Sequence, residues 1–141
     1  MGRCEEAGRL QGEVYFGRLK IHGEEHVDTF SAALNYASTL LDLRRYEEAK
    51  SLLRKTLPVA RRVLGTCRMI FMMRGCYAQS IHDDPKATLD DLREALTTLE
   101  DTAQTARRVL GGAHPTAALI ERNLRAVRAI LRARETPPEA V

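Results

Sequence analysis

Tryptophan is absent from the chain, aromatics reach only 5% of its 141 residues, and runs of β-branched residues with period-two alternation are missing. No strand is therefore expected. Long apolar stretches are missing too. The softest run, Met69 to Met73, is closed off by Arg68 and Arg74, far short of the ~20 residues that cross a bilayer. The opening Met1-Gly2-Arg3-Cys4-Glu5-Glu6 lacks the basic-then-apolar order of a signal peptide, and Glu139-Ala140-Val141 is no lipidation signal. With only three cysteines (Cys4, Cys67 and Cys76), an all-paired framework is excluded, and their spacing suits no zinc site. Reduced thiols and a cytoplasmic location are the expectation.

Catalytic signatures are equally scarce. The chain has no P-loop, dinucleotide fingerprint, His-Glu-x-x-His or nucleophile elbow. His82-Asp83-Asp84 stands before Pro85 in a turn, where such residues serve hydrogen bonding. Cys76 has no base beside it in sequence and reads as a helix-packing residue. No enzyme activity, cofactor or metal is expected.

What the chain does have is helix-forming composition. Ala, Leu, Arg and Glu dominate, and these side chains lose little rotamer freedom in a helix. Formal net charge is +3, and 18 of the 22 basic residues are Arg. From Asp101 onward seven Arg face four acids, which places the whole excess at the C-terminal end.

Self-similarity organises the sequence. Ala60-Arg61-Arg62-Val63-Leu64-Gly65 recurs letter for letter at Ala106-Arg107-Arg108-Val109-Leu110-Gly111, an offset of 46. Cys4-Glu5-Glu6-Ala7 echoes Tyr46-Glu47-Glu48-Ala49 at an offset of 42, and Gly23 to His26 echo Gly111 to His114 at 88. Aligning Tyr36-Ala37 with Tyr77-Ala78 takes 41, so the middle unit's leading loop is shorter and its exit loop longer. The divisions are a partial repeat over 4–22, repeats over 23–64 and 65–110, a terminal helix over 113–134, and a disordered tail over 135–141.

Within a unit the apolar residues fall at three- and four-residue steps, the mark of a helix with one buried stripe. Phe30, Ala33, Leu34, Ala37, Leu40 and Leu41 form the first, with Asp28 or Thr29 as its expected cap. The second runs from about Tyr46 to Leu64 through Pro58, which should bend it, and ends at Gly65. A long helix from about Thr88 to Leu110 and a last one from Pro115 follow. Met69, Ile70, Phe71, Met72 and Met73 make a soft patch at the start of the middle unit.

Gly23-Glu24-Glu25-His26-Val27-Asp28-Thr29, Gly111-Gly112-Ala113-His114-Pro115-Thr116 and Tyr46-Glu47-Glu48-Ala49 together resemble tetratricopeptide repeats of the kinesin-light-chain type, with units of about 42 residues. Departures are Val27 for proline, Thr116 one residue early, a lost signature at Gly65-Thr66-Cys67-Arg68-Met69, and Arg125 for alanine in the last helix. The resemblance implies an all-α, right-handed α-solenoid of stacked antiparallel helix pairs. It also implies a non-catalytic interaction scaffold whose concave groove takes a partner protein's peptide or helix. Carried over position by position, the groove residues are Ser31, Leu34, Asn35, Ser38 and Asp42, then Met72, Cys76 and Gln79, then Leu119, Arg122 and Asn123. The amides of Asn35 and Asn123 each combine donor and acceptor, suiting a peptide backbone of any sequence.

Two further expectations stand beside that one. Arg122, Arg125, Arg128 and Arg132 form a basic stripe that offers an alternative function, nucleic-acid or anionic-surface binding. Aromatic stacking residues are absent from that helix, which weighs against nucleic acid. The partial repeat leaves Leu10, Val14 and Leu19 in need of cover, which points to self-association or further repeats there.

Overall fold

The computed structural model describes residues 2–135, which form six helices joined by short turns: α1 (Gly2–His22), α2 (Val27–Asp42), α3 (Tyr46–Leu64), α4 (Arg68–His82), α5 (Leu89–Leu110) and α6 (Pro115–Glu135). No strand occurs among the described residues. Each helix packs on the next in the chain, and α4 also packs on both α2 and α6. By contrast the backbones of α1, α3 and α5 do not approach one another, and only side chains bridge them. The helices therefore form two rows. The tighter α2–α4–α6 row is the inner side of the stack, and the looser α1–α3–α5 row the outer side.

The core lies between the rows. Phe30, Leu53, Ile70, Met73, Leu92, Leu99, Ile120 and Val127 are all fully buried, each contributing roughly 1.5–3 kcal/mol of transfer free energy. Ala37, Ala78, Ala49 and Ala95 are buried beside them, and small side chains there let backbones approach. Of the soft patch, Ile70, Phe71 and Met73 are buried, whereas Met69 and Met72 are half-exposed.

The twin Arg-Arg-Val-Leu-Gly segments end α3 and α5 in the same manner. Gly65 (φ 68°) and Gly111 (φ 89°) have positive φ, which an L side chain resists, and their amides donate to the Arg61 and Arg107 carbonyls at 2.9 and 3.0 Å. Helix starts depart from expectation. Neither Asp28 nor Thr29 caps α2: His26 does, its Nδ1 accepting from the Asp28 amide at 3.0 Å, while Thr29 donates its hydroxyl to the Gly23 carbonyl at 2.7 Å. His114 repeats the arrangement at α6, accepting from the Thr116 amide at 3.1 Å. An imidazole nitrogen reaches the first free amides as the shorter capping side chains do. Where the signature is lost, Cys67 caps α4 with no side-chain bond.

The last helix runs one residue past 134, because Glu135 pairs with Arg93 of α5 at 3.1 Å. Residues 136–141, the rest of the expected tail, lie outside the described residues. The helix α3 continues through Pro58, held by buried residues on both sides, Thr56 and Ala60.

Candidate functional site

The expected groove residues stand on the inner-row helices α2, α4 and α6. On α2, Asn35, Ser38 and Asp42 are exposed, with Ser31 and Leu34 half-buried. On α4, Met72, Cys76 and Gln79 are half-buried, and on α6 Leu119 is half-buried beside exposed Arg122. These side chains are chemically mixed: thioether, thiol, aliphatic carbon, amide, hydroxyl and one charge of each sign.

Asn123 departs from this set. It is buried, accepts at Oδ1 from His82 Nε2 at 3.1 Å, and donates from Nδ2 to the Gly75 carbonyl at 3.3 Å. Its amide stitches α6 to α4 instead of facing outward. A side chain of Asn35, the equivalent position, is exposed and makes no hydrogen bond within the described fold. The two asparagines share a repeat position but not a task.

Cys76 is no nucleophile. Burial, with the Asp42 carboxylate adding to it, pushes its thiol up to about 11, so the reactive thiolate is absent near neutrality. The basic stripe is also divided. Arg128 pairs with Glu100 of α5 at 3.3 Å, whereas Arg122, Arg125 and Arg132 are exposed without a carboxylate partner among the described residues.

Compared with known families, residues 29–66 match the model of the tetratricopeptide repeat. The α2–α3 hairpin carries the tetratricopeptide signature. The match begins in the first turn of α2 and ends just beyond Gly65, so it spans one helix pair. No curated protein matches the chain. Tetratricopeptide repeats are non-catalytic interaction modules in general, and the inner row is the side on which the α2 helix of this pair is displayed.

The outer row of the helix stack carries an ionic lattice that periodicity alone does not reveal. Lys50 of α3 is buried and reaches Glu47 at 3.2 Å and Asp91 of α5 at 3.3 Å. Arg54 meets Asp91 at 3.3 Å and Glu94 at 3.4 Å, and donates through Nε to the Tyr77 oxygen at 2.9 Å. Tyr77 in turn donates to Glu94 at 2.8 Å. Burial pushes the Tyr77 phenol up to about 12, helped by the Glu94 carboxylate. Burial opposes the charges of Lys50 and Asp91, yet the paired groups outweigh it, raising the lysine and lowering the aspartate. The sequence signal was partial: Lys50 and Arg54 stand four apart on α3, and Asp91 and Glu94 three apart on α5, but nothing in the sequence pairs the two helices. Asp90 and Asp91 lie in the first turn of α5, where carboxylates complement the helix dipole, and Asp91 serves across helices as well.

His22, His26 and Asp28 bring ligand-type atoms within 4.8 Å of one another where α1 turns into α2. His26 Nδ1 is already the acceptor that caps α2. A neutral imidazole has one acceptor nitrogen, so taking a metal there costs the cap. The cluster is a capping turn.

On α1, Leu10, Val14 and Ile21 are exposed, the last by 75%. At the 42-residue offset, Val14 corresponds to Thr56, which α3 buries. The corresponding face of α1 is open. No helix among the described residues is long and apolar enough to cross a membrane.

Proposed function

We propose that this chain is a protein-interaction scaffold that receives an extended peptide or a helix of a partner protein along the α2–α4–α6 face. The observation that carries the reading is the exposed, unpaired Asn35 amide, set among Ser38, Asp42 and half-buried Leu34, Met72 and Gln79 on the inner row of a helix stack. An uncommitted amide in a helix interior has a poor local rationale but suits a ligand backbone. Methionine on the same row, Met72 of α4, adapts to differing partner side chains.

The light-chain subtype, with its unit of about 42 residues, is the finer part of the proposal. It is supported by the paired His26 and His114 caps and by the matching ends of α3 and α5. The open α1 face is read as a contact surface for a further helix or a second copy. Work in a reducing cytoplasm is supported by three free thiols at Cys4, Cys67 and Cys76.

A peptide array probed with the folded protein tests the main claim. Peptides that bind should lose at least about tenfold in affinity with Asn35→Ala, while Lys55→Ala on the outer row should leave them unaffected. Equal loss in both variants, or none with Asn35→Ala, refutes the inner face as the binding surface.

A further inference from the structure

Between α3 and α5 on the outer row, floored by α4, lies a cleft of about 260 Å³ lined by Leu53, Leu57 and Pro58 and by the polar side chains of Arg54, Arg61, Arg74, Tyr77, Glu94 and Thr98. Three arginines thus meet a single glutamate. Arg54 and Glu94 neutralise each other and share Tyr77 at one end. The other two arginines have no such arrangement. Arg74 is half-buried and donates only to the Thr102 hydroxyl, at 3.1 Å, and neither it nor Arg61 has a carboxylate within ion-pair distance among the described residues. Burial lowers the pKa of Arg74, and the charge of Arg61 lowers it further, with Asp101 a weaker opposing influence. Two like charges facing a partly desolvated space are unfavourable unless something compensates them.

The repeat supplies its own controls. At the offsets that align the units, Arg61 corresponds to Leu19 and Arg74 to buried Ala33, so the packing itself needs no arginine at either position. In the other direction Arg61 corresponds to Arg107 and Arg74 to Glu121. There the pair is an ion pair, Arg107 to Glu121 at 2.8 Å. One unit thus fills these two positions with apolar side chains, and another with a matched arginine and carboxylate. The middle unit alone opposes two arginines, with no carboxylate paired to either among the described residues.

We propose that this cleft is an oxyanion site, in which Arg61 and Arg74 clamp the dianionic phosphate of a small phosphate monoester whose apolar body rests on Leu57 and Pro58. Two guanidinium forks match a doubly charged phosphate better than a single carboxylate. The volume is below the roughly 300–1,000 Å³ of sites for drug-sized ligands, so the body is small. The site faces away from the proposed peptide surface and stands independently of it. Its occupant would tie α3, α4 and α5 together, bridging two successive helix pairs.

Isothermal titration with phenyl phosphate, using the whole chain, tests the assignment. The expected result is saturable binding with a Kd on the order of 1 mM or tighter, several-fold tighter than inorganic phosphate, which lacks the ring. Arg61 is exposed, so Arg61→Gln should leave the helical circular dichroism unchanged while weakening binding about tenfold or more. Arg61→Glu should abolish binding and, without ligand, melt above the wild type, because it rebuilds the Arg107–Glu121 type of pair. Absence of saturable binding up to about 10 mM, or equal affinity in wild type, Arg61→Gln and Arg74→Gln, overturns the proposal.

Discussion

Asn123 and Asn35 show how far a repeat position can diverge at the level of one side chain. Asn123 holds α6 to α4 through His82 and the Gly75 carbonyl. Asn123→Ala removes both bonds and leaves His82 Nε2 without its partner in a part-buried place, and should cost about 1–3 kcal/mol in denaturant unfolding. Asn35→Ala should stay within about 0.5 kcal/mol of wild type, as surface changes do. Asp91 makes a second residue-level case. Its carboxyl is held below the ordinary range, so its contribution is present above its unfolded pKa and lost as pH falls through the folded value. Lys50, held above its ordinary range, contributes below the unfolded lysine pKa and loses that contribution only as pH rises through the folded value. Both are therefore fully present at pH 7. Asp91→Asn should destabilise by about 1–3 kcal/mol at pH 7, and should flatten the fall in stability below the carboxylate range of about 3.9. Urea midpoints measured from pH 7 to pH 3 check both statements.

At the scale of helices, the docking of α1 depends on what it lacks. A Cβ at Gly12 would meet the Tyr36 ring at 3.2 Å, and one at Gly8 the end of Leu43 at 2.7 Å. These two glycines, four apart, bring α1 close to α2. Gly12→Leu should separate the two helices, seen as faster amide exchange along α1 while α3 to α6 keep their protection. Helix positions were legible in the sequence because stripes such as Phe30, Ala33, Ala37 and Leu40, or Leu92, Leu99, Ala103 and Ala106, are periodic and buried as that periodicity requires. Caps were less legible. The His26 cap depends on a ring nitrogen that sequence rules for short polar caps do not include. Lost fates of individual residues, such as burial of Asn123, depend on which neighbour sits opposite. Here that neighbour is Gly75, whose missing side chain leaves room. The spacing of Lys50 and Arg54 and of Asp91 and Glu94 is legible, but their pairing into one network with Tyr77 is not, because it joins residues up to 41 apart that only stacking brings together.

For the molecule as a whole, one arrangement explains both proposals. Helices of two kinds alternate along the chain, so that one row closes up and the other stays apart. Closing the inner row makes a surface from α2, α4 and α6. Spacing the outer row leaves clefts between its helices, bridged at one end by Lys50 and Arg54 reaching Asp91. Each helix pair buries its stripe only against neighbours, so stability and surface arise together from stacking. The most direct measurement is a set of long-range nuclear Overhauser contacts in the isotope-labelled protein. Side chains of α4 should contact both α2 and α6, Gly65 and Gly111 should show matching protected amides, and no backbone contact should join α3 to α5. Backbone contacts between α3 and α5, or unlike conformations at Gly65 and Gly111, would contradict the stacked repeat.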